Sequence, residues 1–146
     1  MCAYDYDVYH DCCPTRLVLE RLADKWALLI LDRLKHGPQR FNSLKRDIKR
    51  VTQKVLTQTL RKLERDGLVS RTVHATAPVT VEYALTPLGQ TLTDTVSALT
   101  HWAELNMDAV LAAQNAYDSA AQQAAAQAAS VHRMGARPAL SPTSAA

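Results

Sequence analysis

Residues Val51–Arg71 read VTQKVLTQTLRKLERDGLVSR, and two periodicities meet in them. Val55, Leu56, Leu60 and Leu63 recur at helical spacing. Thr52 is a residue type that caps a helix start, and Gly67 is the type that closes one in the left-handed conformation. Directly afterwards LVSRTVHA (68–75) and VTVEYALT (79–86) alternate apolar with polar residues and are rich in β-branched side chains, with TAP between them. That pattern predicts two strands of a hairpin. A helix that runs straight into a hairpin is the core of the expected fold.

Upstream, RFNSLKRDI (40–48) predicts a short helix capped by Asn42, with Leu44 and Ile48 on one face and Lys49–Arg50 as the linker to the next helix. KWALLILDRL (25–34) is apolar nearly all round and predicts a buried central helix, ended by HGP at 36–38. Pro14 suits the first turn of a preceding amphipathic helix bearing Leu17, Leu19, Leu22 and Ala23. Downstream, Thr86 and Pro87 predict the start of one long helix with a stripe of Leu88, Leu92, Val96, Leu99, Ala103, Val110 and Leu111, bordered by Trp102 and Met107. Such a stripe is longer than a small domain covers alone, which points to a partner subunit. The expected fold is mainly α with a small β-hairpin wing (α+β): a winged helix-turn-helix with terminal dimerisation helices. Residues 1–12 form an N-terminal arm and 13–118 the domain, and 119–146 form an Ala/Gln-rich helical extension ending in a disordered tail.

The net charge of +3 conceals an asymmetry. Between Arg33 and Arg71 lie 12 of the chain's 17 lysines and arginines against three acids, a local charge of +9, while the remainder carries −6. A basic middle between acidic ends is the footprint of a polyanion. On the helix from Thr52 to Asp66, Gln53, Lys54, Thr57, Gln58 and Arg61 lie mostly away from the apolar stripe. Amide, hydroxyl and guanidinium groups near a helix N-terminus are the chemistry that reads base edges in the major groove of double-stranded DNA. Thr52 stands at the phosphate-favouring helix start. Arg40, Ser43, Arg46 and Lys49 suit phosphate contacts from the preceding helix, and Arg71 suits a phosphate or minor-groove contact from the wing. His74 also lies on a wing strand but is neutral at pH 7 in most environments.

Cys12 and Cys13 are adjacent, and Cys2 is the third cysteine, placed in a terminus expected to fray. An odd number argues against a disulfide framework, and adjacent cysteines with only His10 nearby do not make a zinc site. Two readings stay open, a structural half-buried thiol and a reactive one. For the second, Cys13 sits before Pro14 at a helix start, where the dipole favours a thiolate, with Arg16 one turn on to help and Asp11 to oppose. The N-terminus, MCAYDYDVYHD, is acidic and aromatic, unlike a secretory signal, and no apolar run is long enough to cross a membrane. The expected setting is the cytoplasm, where thiols stay reduced. No Gly-rich phosphate loop, metal-ligand pair or nucleophile–base set supports an enzyme, and no cofactor is expected.

The pieces CP, KW, L..G..RF..L, TQKVLTQTLRKLERDGLV.R, P..VEY.LTPLG and a later W occur in order between Cys13 and Trp102, roughly 60% of the chain. In this the sequence closely resembles the HxlR-type regulators, a branch of the MarR-like winged helix-turn-helix proteins. The resemblance implies a homodimer on palindromic operators, joined through its terminal helices and acting as repressor or activator. It also implies that the cysteine of the CP motif, Cys13, senses oxidants or electrophiles such as quinones or aldehydes. Cys12 departs from the family pattern as an extra neighbour, and three roles stay open for it: resolving an oxidised thiol, pairing with a cysteine of the other subunit, or none. The reading is a redox-sensing repressor. Its alternative is the same dimer answering a non-covalent small molecule in a cleft lined by Tyr4, Tyr6, Tyr9, Trp26 or Trp102, although these aromatics also suit plain packing. Thr52 stands where serine is more usual in the family, and the Ala/Gln-rich end lies outside its pattern.

Overall fold

Three antiparallel strands in the order β1-β3-β2 and six helices make up the computed structural model, which describes residues 6–11 and 13–135. Cys2, Tyr4 and Cys12 lie outside the described residues. The chain divides into two units, residues 1–102 and 103–146.

In the first unit, α1 (Thr15–Leu22) and α2 (Lys25–Leu34) are separated by Asp24, whose carboxylate accepts from the Trp26 N–H at 2.9 Å and caps α2. Strand β1 (Gln39–Arg40) leads into α3 (Phe41–Asp47), and then come α4 (Gln53–Arg65), β2 (Val69–His74), β3 (Thr80–Leu85), the one-turn α5 (Pro87–Gln90) and α6 (Thr93–Gly135). The core is built from Ala27, Ile30, Leu31 and Leu34 of α2, Leu44 and Ile48 at α3, Leu56, Leu60 and Leu63 of α4, and Leu68, Val69, Tyr83 and Val96. α4 follows its expected period, and Thr59 joins the buried set with its hydroxyl donated to the Val55 carbonyl at 2.8 Å. The Thr52 hydroxyl accepts from the Val55 N–H at 3.2 Å, and Gly67 closes α4 with φ +75°. The expected hairpin is β2–β3, in a register that sets Val69 opposite Leu85 and His74 opposite Thr80.

Four local expectations are corrected. α3 has no side-chain cap from Asn42: the chain leaves β1 in extended geometry at Arg40 and turns helical at Phe41. β1 itself was not expected; it pairs Gln39 with Tyr83 and Arg40 with Glu82. α2 is buried on one side only, with Trp26 and Leu28 half-buried and Leu29 exposed. The helix that starts at Pro87 does not continue into the long one. The N–H groups of Thr91 and Leu92 reach back three residues, to Leu88 and Gly89, and the hydroxyls of Thr91 and Thr93 take the Leu88 and Gln90 carbonyls. At Gly89 the turn lies so close to the Leu68 backbone that a β-carbon there would meet its carbonyl oxygen.

The second unit is the remainder of α6, from Ala103 onward. Its described side chains are exposed apart from half-buried Asn106 and Val110. Met134 and Gly135 close the helix, and the rest of the end expected to be disordered, 136–146, lies outside the described residues. No helix among the described residues is long and apolar enough to cross a membrane.

Candidate nucleic-acid interface

The turn before α4 is made at Arg50, whose φ of +69° is unusual for a residue with a side chain. It lets Lys49 and Arg50 reverse the chain between α3 and α4, which are the two helices of a helix-turn-helix. Thr52 then starts α4 cleanly, and the side chains of its first turns are presented in a defined order.

Stepping about 100° per residue from the buried stripe of Leu56, Leu60 and Leu63 divides the polar side chains of α4 into two groups. Lys54, Gln58, Arg61 and Arg65 point most directly away from the core, and all four are exposed. Gln53, Thr57, Arg61 and Glu64 turn toward the hairpin, where they line a groove of about 460 Å3 with Arg71, Phe41, Val81 and Tyr83. Arg71 stands opposite Tyr83 in the strand register. Successive residues alternate faces, so Arg71 shares the side of β2 that carries Val69 and Val73. Its guanidinium therefore belongs to the groove beside α4. The Thr57 hydroxyl is donated to the Gln53 carbonyl at 2.8 Å, which commits its proton to the helix backbone. Neither Arg61 nor Arg71 has an ion-pair partner among the described residues. The groove thus holds two cations without ion-pair partners, beside the single carboxylate of Glu64, over a partly apolar floor.

The candidates on the α3 side are arranged differently. The Ser43 hydroxyl donates to Gln39 Oε1 at 2.8 Å, and Arg46 Nη2 donates to Ser43 Oγ at 3.3 Å. Asp47 draws Arg33 to 2.7 Å and lies 3.6 Å from Arg46, so part of the basic segment is neutralised internally. Arg40 and Lys49 are exposed, and Arg40 lies across the sheet from Glu82. Glu82 also lies 3.6 Å from His74. The structure thus brings Gln53, Thr57, Arg61 and Arg71 into one groove, with Lys54 and Gln58 on the adjoining outer face. Arg40, Ser43, Arg46 and Lys49 do not line that groove. Arg65 was missed by sequence reasoning, although its spacing from Lys54, Gln58 and Arg61 carries the signal. Phe41 and Glu64 were missed because only the strand pairing shows what faces the wing.

The N-terminal candidate is Cys13, which is buried at 6% exposure with its Sγ 3.1 Å from Thr15 Oγ1. Its N–H donates to the His10 carbonyl at 3.1 Å. The Arg16 guanidinium is engaged by the backbone of the arm. The arm turns back so that the carbonyls of Val8 and Tyr9 take Arg16 Nε and Nη2, each at 2.9 Å. Of the aromatics proposed for a ligand cleft, Tyr6, Tyr9 and Trp102 are exposed. Trp26 is half-buried with Lys25 Nζ 4.6 Å from its ring centroid.

Comparison with known proteins agrees with this geometry. The sequence model described as HxlR-like helix-turn-helix matches residues 21–110. The chain is 41% identical to the HTH-type transcriptional regulator YtfH of Escherichia coli (strain K12) over 75% of its own length and 86% of that protein. Among solved structures, the transcriptional regulator ytfH from Salmonella typhimurium superposes with a TM-score of 0.71 at 40% identity, covering 76% of this chain and 99% of that one. The redox regulator HypR in its oxidised form gives a TM-score of 0.60 at 38% identity, covering 64% of this chain and 97% of that one. With a recognition-type helix, a hairpin wing and a cation-lined groove between them, the chain belongs to the HxlR-like helix-turn-helix family of transcriptional regulators.

Proposed function

We propose that the protein is a homodimeric repressor that reads a palindromic operator through α4 and the wing, and that modification of Cys13 by an oxidant, quinone or aldehyde changes its affinity for that operator. The observation that carries the DNA reading is the groove lined by Gln53, Thr57, Arg61 and Arg71, whose two arginines have no ion-pair partner among the described residues. In this reading Lys54, Gln58 and Arg61 meet base edges and Thr52 and Gln53 approach them at the helix start. Arg40, Ser43, Arg46, Lys49 and Arg71 hold phosphates.

Dimerisation is supported by the apolar side chains that α1 and α6 leave exposed: Leu17, Val18 and Leu19 on one, Leu99, Trp102, Met107 and Leu111 on the other. A two-fold dimer sets two copies of α4 one helical turn of DNA apart, about 34 Å. A cysteine trigger is supported by the place of Cys13 at the start of α1, and by the similarity to HypR, a redox regulator. Because Cys13 is buried, an effector reaches it only when its surroundings loosen. Cys12 is the nearest second thiol in the sequence, and it serves as the resolving group in this reading. A shift of one to two kcal/mol between two subunit arrangements changes operator affinity about tenfold.

The test is fluorescence anisotropy on a duplex selected by the protein from a random-sequence pool, against a scrambled duplex, over a series of salt concentrations. A DNA-reading dimer prefers the selected duplex, and its affinity falls steeply with salt as counterions are released. Binding without sequence preference or without salt dependence removes the proposal.

A further inference from the structure

α1 stands apart from α4 yet is tied to it. None of the eight residues of α1 is buried, and Leu22 is the one that packs against the core cluster. Leu17, Val18 and Arg21 of α1 face Lys62, Arg65 and Asp66 across an open groove of about 440 Å3. An ion pair bridges this groove: Arg21 Nε donates to Asp66 Oδ2 at 2.7 Å, with each side chain 26% exposed.

The position of Asp66 is informative. It is the C-cap of α4, where the helix dipole is negative and a carboxylate is disfavoured. The last turn already carries Lys62 and Arg65, yet Asp66 pairs with neither and takes a partner from another helix. α4 is seated on the core by Leu56, Leu60 and Leu63, and the strut to Arg21 adds a second constraint at its C-terminal end. α4 has 13 residues, about 20 Å of helix, so a tilt of about 5° about its centre moves the Gln53 end by roughly 1 Å. That is enough to spoil a bidentate base contact, whose hydrogen bonds tolerate only a few tenths of an ångström.

We infer that Arg21 is a positioning residue for DNA reading: through Asp66 it sets the tilt of α4, and it makes the recognition helix answer to the position of α1. The inference rests on the reading of α4 as the DNA-contacting helix. Arg21 itself touches no base.

The experiment measures the affinity of the full-length protein for the selected and the scrambled duplex, with thermal unfolding recorded alongside. Arg21→Gln and Asp66→Asn each weaken the selected duplex about tenfold and the scrambled duplex much less, in protein that remains folded. The exchange Arg21→Asp with Asp66→Arg recovers most of the lost preference, because the pair is restored with its ends reversed. Equal losses on both duplexes overturn the inference, since Arg21 then acts as one more phosphate cation. So does an exchange no better than the single changes. Arg61→Ala separates the two levels. If it leaves the selected duplex unaffected, α4 does not read DNA and the inference falls with that reading. If it weakens binding while Arg21→Gln does not, only the inference fails.

Discussion

Gly89 is packed so closely against the carbonyl of Leu68 that a β-carbon on it would overlap that oxygen. Leu68 is also where the wing begins, and its carbonyl accepts the Thr86 N–H at 3.1 Å. The contact therefore clamps α5 over the corner between α4 and β2. Gly89→Ala is expected to destabilise the fold by about 3 kcal/mol, because the obstructing atoms are backbone and cannot swing away. Thermal unfolding followed by circular dichroism should show a fall of roughly 10 °C. A fall of only a degree or two would mean that the corner yields easily.

Arg50 spends its left-handed backbone conformation on the turn between α3 and α4. A residue with a β-carbon is strained there, and glycine is not. Arg50→Gly should raise stability by about 0.5 kcal/mol, after the entropic cost of glycine is set against the relief of strain. Arg50→Ala keeps the strain and should bring no gain. Denaturant titration of the two variants decides it, and equal midpoints would refute the account.

Arg61 and Lys49 occupy different parts of the basic segment, and their loss should read differently. Arg61→Ala is expected to cost about 1–3 kcal/mol on the selected duplex and to relax preference at one base pair. Lys49→Ala should weaken all duplexes alike and reduce the salt slope by about one. If both variants lose selected and scrambled DNA in the same proportion, the division into base-facing and phosphate-facing groups is wrong.

Cys13 carries the proposed trigger. Treatment with diamide or a quinone should change the affinity of wild type for its selected duplex about tenfold and leave Cys13→Ser unchanged. A Cys12→Ser variant that still responds would restrict the chemistry to Cys13. If wild type is inert, or if Cys13→Ser responds equally, the thiol has no sensing role, and a metabolite that alters affinity in untreated protein would favour the non-covalent alternative.

Much of this architecture was legible in the sequence, for local reasons. Thr52 and Gly67 bracket α4 because a hydroxyl can satisfy a free N–H and glycine can take positive φ, and both requirements lie within a few residues. The two strands announced themselves by alternation. The signals that failed were also local ones, overridden from a distance. Asn42 is a better cap than Arg40 by propensity, but β1 delivers the chain in extended geometry to Arg40, and the helix starts there. A two-residue strand has no periodicity to read, and β1 exists only because β3 lies beside it. The helix from Pro87 stops after one turn, beside the backbone of Leu68 from far back in the chain. Arg16 serves the Val8 and Tyr9 carbonyls once the arm folds back, a use that no spacing in the sequence announces.

What the sequence by itself determined was the order and kind of the elements, the concentration of positive charge between Arg33 and Arg71, and the polar content of α4. These depend on spacing and capping within single segments. Only the tertiary structure decided which of those groups work together. Pairing β2 with β3 beside α4 carried Arg71 into the groove of Gln53, Thr57 and Arg61 and left Lys49 outside it. The Arg21–Asp66 bridge joins residues 45 positions apart. Neighbourhood across a groove is set by how the apolar stripes of several elements pack at once, and that is a property no single stretch of the chain contains.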